Sequence, residues 1–168
     1  TEAPDEVRAL RLRAEAHNDL ENFEKAQTDL ERALKLDPGN GWARVELADL
    51  FCDLGRFDQA WPLIESLAQE GRGQGWYWAL RGRALATSGK ARQGLRDLQK
   101  AVRLSPRLAS ALAWKGEAYR SLGRYQDALK AFARAIKIDP AYAYAYEWRA
   151  RLLLMLSRPF EALADIQA

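Results

Sequence analysis

His17 and Cys52 are the only histidine and the only cysteine in the 168 residues, so the side chains that most often ligate metals, move protons or attack carbon are scarce. One imidazole and one thiol, at no metal-ligand spacing, do not make a zinc site. A Cys52 nucleophile would need a base to form its thiolate, and none is identifiable. No glycine-rich phosphate loop follows a strand, because no segment reads as a convincing strand. The residues therefore predict no catalysis, no metal and no cofactor. What remains is the chemistry of recognition and pairing. Arg13, Arg81 and Arg149 are each followed 16 positions later by an acid, Asp29, Asp97 and Asp165. Where the first place holds Leu47 the second holds Leu63, and where it holds Lys115 the second holds Ala131. Arg occurs with Asp and Leu with Leu, which predicts two side chains that meet: a partly buried salt bridge with an apolar substitute.

These places recur because the whole chain does. Between Ala109 and Tyr142, Leu112, Gly116 and Tyr119 recur at helical spacing and Gly123 interrupts. Ala128, Phe132 and Ala135 then form a second helical stripe that Asp139 and Pro140 stop. The segment reads as a helix, a tight turn and a second helix. Gly116 and Ala128 are small enough to let the two axes approach, and Leu112, Tyr119 and Phe132 fill the space beside them. Stepping back by 34 residues turns Gly116, Tyr119, Ala128, Phe132, Ala135 and Pro140 into Gly82, Leu85, Gly94, Leu98, Ala101 and Pro106. Earlier steps give Ala48, Phe51, Ala60, Ile64, Leu67 and Arg72, then Ala14, His17, Ala26, Leu30, Ala33 and Pro38. A forward step gives Ala150, Leu153, Ala162 and Ile166. One such helix pair leaves an apolar face open, so the period implies stacking, each pair completing the core of its neighbour.

This pattern resembles the tetratricopeptide repeat (TPR), and the resemblance covers nearly everything from Val7 to Ala168. It implies an all-α fold, a right-handed superhelical solenoid of antiparallel helix pairs, used for protein–protein interaction. A short lead-in occupies 1–6 and the array 7–168, with repeats at 7–40, 41–74, 75–108, 109–142 and an incomplete 143–168. Helices are predicted at about 5–19 and 23–36, at 41–53 and 56–69, and at 75–87 and 91–104. The fifth repeat starts near Ala143 and turns at Ser157, Arg158 and Pro159. Asn40 is placed to cap the second repeat. Gly71, Gly73 and Gly75 replace the proline stop of that repeat, either as a hinge or as a packed loop of unusual sequence. Gly94 stands where the family usually has Ala, allowing close backbone approach at roughly 1 kcal/mol in helix propensity. In the last helix Leu163 and Ile166 lie on the inner face with nothing after them, so that helix is expected to be exposed, frayed or packed against another chain.

The resemblance further implies that first helices line a concave groove where ligands bind. The groove positions are Trp42, Glu46 and Asp49; Trp76 and Arg83; Trp114, Glu117 and Arg120; and Tyr144, Trp148 and Arg151. Trp42 with Trp76, and Trp114 with Trp148, are one period apart and are expected to form stacked pairs. Indoles flanked by Arg and carboxylates suit a binding hot spot, unless the rings pack between adjacent first helices and are mostly buried. Trp61 and Trp78 fall on or near packing faces. Acids (Glu15, Asp19, Glu46, Asp49, Asp53) gather in the first two repeats and Arg83, Arg120 and Arg151 in the last three, a polarity that a partner could match. The family's carboxylate clamp uses a Lys and an Asn one turn apart. Their places here are Arg11 and Glu15, and the acid would repel a peptide carboxylate. His17 falls in an aromatic packing place and reads as a helix contact.

Composition bounds the rest. A net charge of +3 with pI about 9.1 is only mildly basic, and Glu46, Asp49 and Glu117 would repel phosphates, so no nucleic-acid partner is expected. No apolar run is long enough to span a membrane. A single cysteine excludes an intrachain disulfide and fits a reducing, cytoplasmic setting. The absence of an initiator Met and the incomplete fifth repeat suggest an excised fragment. The expected function is a non-catalytic scaffold that takes a peptide segment or helix of a partner protein in its groove. The alternatives are a self-assembly module working through the exposed C-terminal helix, or an accessory array of a larger enzyme such as a glycosyltransferase.

Overall fold

The computed structural model describes residues 3–167 and, among them, contains only helices: α1 Ala3–Asp19, α2 Phe23–Leu36, α3 Gly41–Asp53, α4 Phe57–Ser66, α5 Ala68–Gly71, α6 Gly75–Thr87, α7 Ala91–Leu104, α8 Ala109–Ser121, α9 Tyr125–Ile138, α10 Ala143–Met155 and α11 Pro159–Ile166. They form two compact units, Thr1–Gln69 and Glu70–Ala168. In the first unit α1 pairs with α2 and α3 with α4, and α3 also lies on α2. In the second, the pairs are α6/α7, α8/α9 and α10/α11, with α8 on α7 and α10 on α9.

Helix ends fall where the chain's punctuation puts them. The Asn40 side chain accepts a 3.0 Å hydrogen bond from the Ala43 amide, capping α3 as expected. The turn inside each pair needs one residue in the left-handed region, and the same register position supplies it every time. Gly55, Gly89 and Gly123 have φ of 68°, 85° and 72°. Glu21 and Ser157 fill that position in the first and last pairs, at φ of 57° and 58°, where a Cβ is crowded by the backbone.

Two boundaries differ from the sequence reading. The lead-in is mostly helix, since α1 already contains Pro4, Asp5 and Glu6. Proline needs no N–H in the first turn, and the two acids favour the positive end of the helix dipole. The second helix of the second repeat, expected as one element, breaks at Leu67 into α4 and α5. Pro62 removes a backbone donor inside α4, and the Ser66 hydroxyl donates to the Leu63 carbonyl at 2.7 Å, sharing it with the Leu67 amide, which lies at 3.3 Å.

The glycines at the end of α5 and the start of α6 are packed, while Gly73 between them is exposed. A Cβ on Gly71 would sit 2.6 Å from Tyr77 Cβ, and one on Gly75 would sit 2.3 Å from Ser105 Oγ. Trp78 Nε1 also donates to the Arg72 carbonyl at 2.8 Å, tying the loop to α6. The close approach expected at Gly94 is present, because a Cβ there would lie 2.5 Å from the Gly82 carbonyl oxygen across the α6/α7 contact. In the next pair, Gly116 makes room for the fully buried Phe132 ring, 2.5 Å from where a Cβ would stand.

All three Arg–Asp pairs form. Arg13 Nε and Nη2 donate to the two oxygens of Asp29 at 2.6 Å each. Arg81 Nε is 2.8 Å from Asp97 Oδ2. Arg149 Nε donates to Asp165 Oδ2 at 2.8 Å, and its Nη2 to the other oxygen. These three aspartates are the buried charged side chains among the described residues. In the second repeat the matching Leu47 is buried and Leu63 half-buried, apolar side chains at the same two positions. The pairs are not equivalent electrostatically. Hydrogen bonds from Arg13 hold the Asp29 carboxyl below its ordinary pKa, whereas burial pushes Asp97 up despite Arg81.

Replacing Glu21 or Ser157 by Gly is expected to raise stability by about 1 kcal/mol each by removing left-handed strain, measurable as a higher midpoint in urea. The aspartates give a pH test. A carboxyl whose folded pKa is depressed contributes above its unfolded pKa and stops contributing as pH falls through the folded value. Asp29→Asn is therefore expected to cost about 1–2 kcal/mol at neutral pH, with the gap to wild type closing on acidification. For Asp97 the sign reverses, since a raised pKa disfavours the ionised fold. Asp97→Asn is expected to cost less at neutral pH, with wild type gaining on it as pH falls. Matching pH profiles for the two variants would contradict this assignment.

Candidate protein-binding surface

In the second unit the first helices α6, α8 and α10 neighbour one another in order, and their groove-side residues converge in one row. The Arg83 guanidinium lies over the Trp114 ring, 4.6 Å from its centroid. Trp114 meets Trp148 at 4.5 Å between centroids, with the planes 63° apart. Trp148 meets Tyr144 at 5.8 Å, and Tyr144 meets Tyr142 at 5.9 Å. The expected Trp114–Trp148 pair thus exists, with an edge contact in place of a parallel stack, the geometry that ring quadrupoles favour.

These indoles serve two purposes at once. Both pack against the core formed by Leu95, Leu98, Ala118, Phe132 and Leu152, and Trp148 also lies 6.3 Å from the Phe132 ring. They are half-buried, with their remaining area open beside Tyr144, which is 56% exposed. Neither a fully open row nor a fully buried one describes them. Trp76 is half-buried with its ring 6.2 Å from Tyr77. In the first unit, Trp42 is 63% exposed. Trp61 is half-buried. Trp78 packs on the core around Ala79 and Leu112, with Lys100 Nζ 3.5 Å from its ring centroid.

The charged positions are more neutralised than their distribution along the sequence suggests. Glu46 accepts from Arg11 Nε at 3.1 Å and from its Nη2. Arg120 Nε donates to the two oxygens of Glu117 at 3.0 and 2.9 Å, which holds the guanidinium firmly charged. Arg151 is 2.6 Å from Glu147. Asp49 is half-buried and engaged with neighbouring groups. The segregation of acids from arginines therefore does not survive as a bare polarity. Local pairing cancels much of it, and the row offers aromatic and apolar area framed by paired ions. Arg11, in the clamp position, is occupied by Glu46. Two of these pairings were readable in advance, because Glu117 with Arg120 and Glu147 with Arg151 are at helical spacings of three and four. Arg11 with Glu46 and Arg83 with Trp114 join separate helices at separations that no local rule reads.

His17 is half-buried beside the Arg13–Asp29 pair, and Cys52 is buried. Among the described residues no group of three or more His, Cys, Asp or Glu side chains could hold a metal ion, and no helix is long and apolar enough to cross a membrane.

Helix pairs that recur every 34 residues and pack side by side within each unit define the class of helical-repeat scaffolds. Profiles described as Tetratricopeptide repeat match residues 18–84, 80–143 and 118–168, and the chain belongs to that family. No curated protein matches it. Among solved structures it is similar to the thermophilic TPR protein TTC0263 of Thermus thermophilus, with 24% identity over 95% of this chain and 87% of that one and a TM-score of 0.84. It is similar to MamA of Desulfovibrio magneticus RS-1, with 15% identity, 97% and 92% coverage and a TM-score of 0.60. It also resembles yeast Tom70, with 20% identity, 94% and 34% coverage and a TM-score of 0.63. At these identities the likeness is one of fold.

Trp148→Ala is expected to destabilise the protein by about 3 kcal/mol, because the ring is part of the packing under α10. Trp42→Ala is expected to stay within about 0.5 kcal/mol of wild type. Urea unfolding of the two variants, with equal losses as the contrary result, decides between core and surface roles.

Proposed function

We propose that this chain is a non-catalytic scaffold that seats a short segment of a partner protein, extended or helical, against the row running from Arg83 through Trp114 and Trp148 to Tyr144. The observation that carries this reading is the continuous contact of the Arg83 guanidinium with the Trp114, Trp148 and Tyr144 rings across three successive first helices, part of it open. A ring already fixed on one side by the core loses little freedom when a partner covers the other, which is what a hot spot requires. Because Glu117, Arg120, Glu147 and Arg151 are paired within their helices, the partner is held mainly by apolar and aromatic packing, with the ion pairs as a polar rim. The same surface could work as an accessory array of a larger polypeptide. Yeast Tom70 is such a case of coverage, since the matched region spans 34% of that chain.

Replacing Tyr144 by p-benzoylphenylalanine places a photocrosslinker at the open end of the row. Irradiation in native lysate is expected to give discrete covalent adducts from this position, whereas the same group in place of exposed Gln126, on the second helix α9, is expected to give none. Equal adducts at both positions, or none at Tyr144, would count against the groove.

A further inference from the structure

Three helix pairs close an Arg–Asp contact between their two helices, through Asp29, Asp97 and Asp165. The last of these contacts sits in a groove between α9 and α11, lined by Leu129, Arg149, Leu153, Arg158, Glu161 and Asp165, where two cations face two acids. One period earlier, between α7 and α9, the same positions hold Leu95, Lys115, Tyr119, Arg124, Asp127 and Ala131. Arg124 takes Asp127 at 2.6 Å, as Arg158 takes Glu161. Lys115 keeps the other cation, but Ala131 has no carboxylate to give it. Its ammonium is half-buried, 5.5 Å from the Tyr119 ring centroid, and no acid lies within ion-pair reach of it among the described residues.

More cations flank this incomplete site. Together α7 and α9 carry seven Lys and Arg and two acids. Both acids are taken, Asp97 by Arg81 at 2.8 Å and Asp127 by Arg124. Arg96 and Arg103 share one face of α7, and Lys130, Arg134 and Lys137 share the equivalent face of α9. All five are exposed, and none is ion-paired among the described residues. Arg134 donates to the Pro106 carbonyl at 3.4 Å, which brings the α9 row to the end of α7. The second unit as a whole holds 18 Lys and Arg against 8 Asp and Glu, while the first holds 8 against 15. The chain's small net charge therefore conceals a strongly basic half.

We propose that the groove between α7 and α9 binds an acidic polypeptide segment. One of its carboxylates takes the place on Lys115 that Asp29, Asp97 and Asp165 take on their arginines, and neighbouring acids lie against the two cation rows. The other pairs identify the missing group, since the fold itself uses a carboxylate at this register position three times. From Arg96 to Arg103 the row is about 10 Å long, which a short run of acidic residues covers. This inference does not depend on the aromatic row.

Anisotropy of a fluorescein-labelled oligoglutamate, titrated with the intact chain at low ionic strength, tests it. Wild type is expected to bind, and Lys115→Gln to weaken binding about tenfold. Lys90→Gln removes the same charge at an exposed place between α6 and α7, and is expected to change affinity by less than about twofold. Ala131→Asp supplies the carboxylate from within the chain and is expected to abolish binding. Ala131→Asn, similar in size and uncharged, is expected to retain it. Melting curves check both, and if the buried position accepts neither, the contrast between Lys115→Gln and Lys90→Gln decides. Absence of binding by wild type, equal losses from Lys115→Gln and Lys90→Gln, or equal binding by the two folded Ala131 variants would overturn the proposal. So would tighter binding of an oligothymidylate or of phosphatidylserine vesicles, either of which would make the groove a phosphate surface.

Discussion

How near two helix axes may come is set by the smallest side chains between them, and this distance governs the rest of the structure. At Gly82 and Gly94, α6 and α7 meet backbone to backbone, with no space for a methyl group on either side. Alanine at Gly94 would gain roughly 1 kcal/mol of helix propensity. It would also press on a carbonyl oxygen that cannot step aside, and overpacking of that kind costs about 1–3 kcal/mol. Sterics win, and the departure from the family's usual alanine is consistent with its surroundings. In the next pair the same logic takes another form, where Gly116 yields the space that the Phe132 ring fills. Once the spacing within a pair is fixed, the bulky residues of its second helix reach the next pair at a set height, and the stack follows.

Much of this was legible because it is periodic and local. Proline and glycine punctuation placed α2, α3, α6 and α7 at the bounds observed, and Asn40 announced its cap. The Arg–Asp correlation was readable because its failures were informative, with Leu47 replacing the cation where Leu63 replaced the acid. What escaped was competition inside a helix. Pro62 and Ser66 each weaken the backbone ladder a little, and α4 ends just after them, at Leu67. The glycine-rich stretch had two readings, a hinge or a packed loop. Gly71 and Gly75 follow the second, because Tyr77 and Ser105 leave no space there for a side chain.

The candidate surface was legible in membership and less so in character. Trp114, Trp148, Tyr144 and Arg83 do converge, as neighbouring positions on one face of successive first helices require. A register position, however, says which way a side chain leaves its helix, not how far its neighbours rise around it. That is why indoles expected to be either open or covered turned out to be half-buried. The charges teach a related lesson. Glu46 and Arg120 counted as free ions when tallied along the sequence, and became ion pairs once Arg11 and Glu117 were in place.

The turn position in each pair has a consequence for how the molecule comes apart. Glycine occupies it in the three inner pairs, while Glu21 and Ser157 hold the same backbone shape in the outer two under strain. That strain lowers the cost of opening the first and last turns, so the amide protons around Glu21 and Ser157 exchange before those around Gly55, Gly89 and Gly123.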